Sequence, residues 1–517
     1  MRLTNQSLAA IGIRENVTTP QYRRDQLAPG IVHLGLGAFH RAHAAVYTDR
    51  AIANGDPRWG IIGVSLRQAD TRDALAPQDN LYTVAIRGAG VAGAESEQLH
   101  VVGALIGSLV APENPQAVLA AMCDACCHIV SLTVTEKGYC HDPATRALRL
   151  DHPDIAHDLA HPAAPRSAIG FIVRALAKRH QSGLRPFTVL SCDNLPSNGR
   201  TTRGLVLAFA AAVDAELARW IDAYGAFPNA MVDRIVPKTT EEDRDRIAGS
   251  LGAGDAWPVM TEPFSQWVIE DAFAGPRPRW ESVGVAIVSE VEPYENAKLR
   301  MLNGTHSSLA YLGAVAGYVT VDAAMADAAL ANFVATMMRE EIEPTLSRPK
   351  LAEYRVALLG RYRNPALKHK LQQIAMDGSQ KLPQRLLGTI RDRLSSNAAC
   401  DRLCFAVAGW LRYLAGKDEK GGMYPISDPL AEQLHAAAIS STDPAAQVTA
   451  LLAVREVFGE DLPANPQFVA ALTRHLSSIG RLGVIAAIAA LEAPRGQSAA
   501  KGRATQAFRR EAHGSDA

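Results

Sequence analysis

Up to about residue 288 the chain alternates short apolar runs with helix-forming stretches; beyond that point the short runs become rare. This change of texture constrains the fold more than any other feature. Residues 30–35 (GIVHLG), 59–66 (WGIIGVSL), 127–135 (CHIVSLTVT) and 186–191 (PFTVLS) are apolar or β-branched runs of strand length. Such runs suit strands buried on both faces. Ala- and Leu-rich stretches such as 167–180 and 204–224 supply helices around them. The alternation predicts an α/β, Rossmann-like domain with a parallel-rich sheet. Residues 296–312, 323–343, 403–414, 444–458 and 466–476 carry helical spacing instead, which predicts a second, mostly α-helical domain. The expected division is 1–289, 290–493, and a disordered Ala/Arg/Gly/Ser-rich tail over 494–517.

The size fits more than one domain, since 517 residues exceed a single domain's usual length. Lys plus Arg number 53, as do Asp plus Glu, so the formal charge is zero and nothing suggests a nucleic-acid partner. Seven cysteines at irregular spacing make no disulfide framework. Cys123 and Cys126 have the spacing of half a zinc site, but no second Cys/His pair accompanies them, and no metal is expected. There is no signal-peptide-like apolar core at the start and no run of ~20 apolar residues. A cytoplasmic protein without a membrane partner is the expectation, as a monomer or weak oligomer.

After the first strand comes Gly35-Leu36-Gly37-Ala38-Phe39-His40, opening a helix. Glycines there allow a tight turn and close approach of a pyrophosphate. His40 stands where G-x-G-x-x-G has its third glycine, so the motif is incomplete, and a plain glycine turn is the competing reading. Asp70, just past the second strand, is placed to bind an adenosine ribose and favours NAD. Arg67 can welcome a 2′-phosphate, which leaves NADP open. A helix cap or solvated acid is the bland reading of Asp70.

The densest polar segment is Lys298-Leu-Arg-Met-Leu-Asn303-Gly-Thr-His306. At roughly 100° per residue of an α-helix, Asn303 sits about 140° around from Lys298, and His306 about 80°. Glu295 falls on the same side. Together they can line one pocket with a base, an amide donor and an imidazole, a set suited to moving a proton to or from an alcohol oxygen. A polar helix face in water is the alternative. Residues 191–199 (SCDNLPSNG) follow the fourth strand, at the carboxyl end where open α/β sheets place their sites, and Asn194 is an amide donor there. Asp233 and Arg234 stand at another strand-like end, either in a site or as an internal charge pair.

Taken together, the segments GLGAFHRAH, SLTVTEKGYC, SCDNLPSNG, MVDRIVPKTT, EPFSQWVIED, KLRMLNGTHSSLAYLG and IAMDGSQKLPQRLL resemble the polyol-specific long-chain dehydrogenases, the mannitol dehydrogenase family. The resemblance implies a nucleotide-binding domain and a helical domain with the active site between them, and catalysis without a metal. It implies Lys298 as general acid/base, Asn194 and Asn303 as oxyanion donors and His306 as a substrate-binding imidazole. It also implies Asp233, Glu136 and Glu295 near the substrate or its proton path. Mannitol-type members carry an arginine four residues before Asp-Gly-Ser; Gln373 stands there in this chain. The surrounding segment looks like the D-mannonate oxidoreductase (fructuronate reductase) branch, whose carboxylate substrate needs a cation. Lys137, Lys370, Lys381 and Arg385 are the candidate partners, unranked among themselves. The expected reaction is NAD-dependent interconversion of D-mannonate and D-fructuronate; oxidation of mannitol, arabinitol or another polyol is the rival.

Overall fold

The computed structural model describes residues 1–89, 95–142, 145–365 and 368–493. The tail expected to be disordered, 494–517, lies outside the described residues. The described residues fold as two compact units, Met1–Asn296 with Asn364 and Pro365, and Ala297–Arg363 with 368–493.

The first unit is built on five parallel strands: β1 (Ile31–Leu34), β2 (Ile61–Ser65), β3 (Leu105–Val110), β4 (Ile129–Leu132) and β5 (Thr188–Ser191). Their spatial order is β3-β2-β1-β4-β5, the doubly wound arrangement of dinucleotide-binding folds. The predicted runs form β1, β2, β4 and β5. Side chains alternate between two buried layers. Val32, Leu34, Val130, Leu132 and Val189 pack with helix residues such as Leu119, Ile172 and Phe209. Ile31, Ile61, Ile129 and Leu190 pack with Ile52, Trp59 and Trp280 on the other face. Burial on both faces is why these strands read as unbroken apolar runs.

Two smaller sheets complete the unit. One orders Val17–Thr18, Glu95–Val102, Tyr82–Ala89 and Val259–Thr261; the other orders Ala286–Val288, Gln266–Glu270 and Ala230–Asp233.

Several predicted helical stretches are interrupted, two of them by aspartate caps; 444–458 also divides, into Pro444–Leu452 and Arg455–Phe458. The stretch 204–224 divides into Asn198–Val213 and Ala215–Tyr224, because the Asp214 carboxylate accepts the Glu216 amide and caps a new helix. In the second unit, Asp327 does the same between Val321–Ala326 and Ala328–Met337, accepting from Ala329 and Leu330. That unit is helical throughout; among the described residues the last strand is Ala286–Val288. Thr305–Val315 is buried along almost its whole length and packs against Asp401–Tyr413. No described helix is long and apolar enough to cross a membrane.

Candidate active site

In the first unit the nucleotide turn connects β1 to the helix Ala38–Ala42. Gly35 has φ +95°, and a Cβ there would lie 2.1 Å from the Thr133 carbonyl oxygen, so only glycine fits. Around Gly37 the space is open: a Cβ would meet nothing nearer than 3.8 Å. Gly37 and Ala38 are exposed and Phe39 is half-buried, while the Gly37 N–H is held by the Gly35 carbonyl at 2.7 Å. This cradle fits a pyrophosphate, which needs close main-chain approach.

His40, in the place of the third glycine, is buried and stacks on His33 with ring centroids 3.3 Å apart. The imidazole pair supplies the helix–strand contact that a glycine usually permits. His33 is held by Ser131 and Thr133, both at 2.8 Å, and burial pushes its pKa down to about 3. Burial, reinforced by the charges of His33, His43 and Arg41, also holds His40 well below the usual range. Both rings are therefore neutral at neutral pH.

Beyond β2, Asp70 is exposed as the first residue of helix Asp70–Leu75, with Ala69 as its cap, so the N-cap reading fails. The Arg67 guanidinium pairs with Asp154 at 2.7 Å.

Past β5, the SCDNLPSNG loop is built by two residues that sequence reasoning did not single out. Asp193 accepts the Val134 and Thr135 amides, each at 3.0 Å, and the Tyr139 hydroxyl at 2.8 Å. Burial raises its pKa, opposed by those hydrogen bonds. The Asn198 amide donates to the Ser191, Asp193 and Ala230 carbonyls and accepts the Ala230 amide. This clamp ties the loop to strand Ala230–Asp233 and leaves Asn194 on the exposed rim. Asp193 also holds Thr135 at φ +63°, a strained conformation for a β-branched residue, directly before the exposed Glu136. Ser197 donates its amide to Glu295 at 3.1 Å, which brings one predicted acid onto this loop.

Asp233 is buried at the end of its strand. Arg234 donates to the Ala42 and Glu262 carbonyls, and burial pushes its pKa down to about 10. Its guanidinium is thus engaged by main chain.

In the second unit, Lys298–Gly304 is a π-helix rather than the expected α-helix. Its i→i+5 winding places Asn303 one wide turn above Lys298, so the 100° spacing does not apply. Side chains support the widened turn. The Tyr362 hydroxyl donates to the Leu302 carbonyl at 2.7 Å, and the Thr305 hydroxyl donates to the Met301 carbonyl. Arg385 reaches the Asn303 carbonyl at 3.4 Å and the Ser307 hydroxyl at 2.9 Å. Gly304 lets the Pro383–Leu387 segment approach, since a Cβ there would lie 2.7 Å from the Arg385 carbonyl oxygen.

His306 stacks on Tyr362, 5.3 Å between centroids, and meets His369 edge-on at 5.1 Å. Burial pushes its pKa far down, with further lowering by His369, Arg385, Arg361 and Lys381. It is a neutral hydrogen-bonding group near pH 7.

Lys381 donates to the Met376 carbonyl at 2.6 Å and reaches the Ile374 carbonyl at 3.5 Å; burial lowers its pKa. Lys137, Lys370 and Gln373 are exposed. Gly378 is required where a Cβ would lie 2.5 Å from the Trp410 indole nitrogen. Tyr362 and His369 went unseen in the sequence, since neither sits in a recognisable motif. Cys123, Cys126 and Cys127 are free thiols, half-buried, exposed and buried respectively.

Comparison with known proteins matches residues 29–282 to the mannitol dehydrogenase Rossmann domain and 290–480 to the mannitol dehydrogenase C-terminal domain. The uncharacterized oxidoreductase YdfI of Escherichia coli (strain K12) is 48% identical over 476 residues, 91% of this chain and 97% of that protein. A mannitol 2-dehydrogenase of Phaeosphaeria nodorum is 42% identical over 498 residues, 95% of this chain and 85% of that protein. The solved ternary complex of Pseudomonas fluorescens mannitol 2-dehydrogenase with NAD and D-mannitol aligns with a TM-score of 0.81 at 40% identity, covering 95% of this chain and 99% of that one.

Proposed function

This chain belongs to the mannitol dehydrogenase family, oxidoreductases acting on CH–OH groups, and we propose on that premise that it interconverts D-mannonate and D-fructuronate with NAD. The observation that carries the substrate assignment is the cationic surrounding of His306. Arg385 reaches the Asn303 carbonyl at 3.4 Å and the Ser307 hydroxyl at 2.9 Å, on either side of that imidazole in the chain, and Lys381 stands on the segment directly before that of Arg385. A carboxylate-bearing sugar is the substrate such a field favours.

In alcohol oxidation Lys298, as the neutral amine, takes the hydroxyl proton; in ketone reduction it returns one. The nicotinamide supplies or accepts the hydride at C4. The Asn194 and Asn303 amides donate to the developing alkoxide, each worth on the order of 2.7–4 kcal/mol by analogy with a measured oxyanion donor. His306 and Asp233 orient the sugar hydroxyls, and Glu295 and Glu136 serve the proton path. No metal enters these steps. The Gly35–Phe39 cradle and Asp70 receive the dinucleotide. NAD is favoured over NADP because Asp154 already engages Arg67, the group that would meet a 2′-phosphate.

A second reading, oxidation of a neutral polyol such as mannitol, is favoured by the names of the relatives and by the ligand in the ternary complex. Initial rates with D-mannonate, D-mannitol and D-arabinitol, each with NAD and NADP, separate the two. The first reading expects kcat/KM for D-mannonate with NAD to exceed the others at least tenfold. A polyol leading by that margin overturns it.

A further inference from the structure

We infer that Cys140, His152 and Asp154 form a binding site for a borderline-soft divalent cation of the Zn2+ class. One donor atom from each residue lies within 4.8 Å of those of the other two. Zn–S and Zn–N/O bonds of ~2.3 and ~2.1 Å in a tetrahedron set donor separations of about 3.5 Å. Side-chain movements of about an ångström therefore close the site around an ion.

The main chain presets this arrangement. Cys140 is buried in a left-handed conformation, φ +52°, after the short turn Glu136–Tyr139, whose Tyr139 hydroxyl bonds Asp193. The Arg149 amide donates to the Cys140 carbonyl at 3.0 Å, and the His152 amide donates to the Arg149 carbonyl at 3.0 Å. His152 then caps helix Pro153–Ala160, with Nδ1 accepting the Asp154 amide at 3.2 Å. Residues twelve and fourteen positions apart in sequence are thus held together before any ion arrives.

The donor set selects the ion. Thiolate plus imidazole favours zinc-like cations over Mg2+ or Ca2+, and three protein donors leave a fourth position for water. The cation has a competitor, because Asp154 is paired with Arg67 at 2.7 Å. That arginine side chain is 65% exposed, so it can swing into solvent when the ion takes the carboxylate. Arg67 and the ion then compete for the Asp154 carboxylate.

The test is a Co2+ titration of the full-length protein after chelator treatment and desalting, read by absorbance, with Zn2+ as displacing ion. The expected result is saturation at one equivalent, with a sulfur-to-cobalt charge-transfer band that Zn2+ removes. Cys140→Ser should abolish the band and weaken binding at least tenfold while turnover stays at the wild-type level, which shows the fold intact. His152→Gln should weaken binding similarly and serves if the serine variant does not fold. Arg67→Gln should tighten binding about threefold or more by removing the competitor. A band that persists in Cys140→Ser, or the absence of a saturable band in the wild type, overturns the proposal.

Discussion

The Tyr362 hydroxyl donates to the Leu302 carbonyl at 2.7 Å, inside the π-helical turn that runs from Lys298 to Gly304. A π turn shifts the backbone pairing by one residue, and the Leu302 carbonyl, which accepts the Thr305 amide, takes a second partner from outside the turn. Tyr362 provides that partner while its ring stacks on His306. One side chain thus supports both the winding that spaces Lys298 from Asn303 and the imidazole beyond them.

Replacing Tyr362 with Phe keeps the stack and removes the hydroxyl. The buried Leu302 carbonyl then loses its side-chain partner, at a cost of about 1–3 kcal/mol. Urea unfolding should show that loss. Steady-state kinetics should show kcat falling more than KM rises, because the amine–amide spacing is disturbed while the ring remains.

The two glycines of the nucleotide turn should fail differently. Gly35→Ala drives a methyl into the Thr133 carbonyl at positive φ, so stability should fall by about 3 kcal/mol or more. Gly37 has extended backbone, φ −93° and ψ 179°, with open space beside it. Gly37→Ala should leave the melting temperature nearly unchanged and raise the NAD dissociation constant at least tenfold, measured by NADH fluorescence. Equal stability losses in both variants would contradict the assignment of the open face to the cofactor.

Much of the first unit was legible because its strands are buried on both faces. The runs that became β1, β2, β4 and β5 need no tertiary information to be noticed. Edge strand β3 was not: Leu105–Val110 carries Gly and Ser at its centre and is only partly buried, so its apolar signal is diluted. The breaks at Asp214 and Asp327 were written locally, as caps, inside stretches whose helical spacing masked them. The winding at Lys298 could not be read at all. It depends on Tyr362 and Arg385, about 60 and 80 residues downstream, whose hydrogen bonds form only when the second unit folds. Likewise Asp193 and Asn198 looked like turn residues, and only their contacts with Val134, Thr135 and Ala230 reveal a clamp.

Several buried histidines make stability depend on pH. The pKa of His33 is pushed down to about 3 and that of His475 to about 4, both chiefly by burial. In the unfolded chain each titrates near ~6.5. Below that pH the unfolded state binds protons that the folded state refuses, so their contribution is present above pH ~6.5 and lost as pH falls toward the folded values. The expected slope is about 1.4 kcal/mol per pH unit for each such group. Urea unfolding at pH 7, 6 and 5 should show the decline. His475→Gln should make it shallower by about one group's share, whatever its effect at pH 7.

The account turns on proton transfer at Lys298. The most direct measurement is the pH dependence of kcat/KM for alcohol oxidation, with the best substrate from the screen, in the wild type and in Lys298→Ala. The wild type should gain activity as pH rises through the ionisation of a single basic group. The variant should lose about 10²–10⁴-fold in rate and lose that pH dependence, with NAD binding intact. A variant that keeps the wild-type profile and rate would contradict the claim that Lys298 carries the proton.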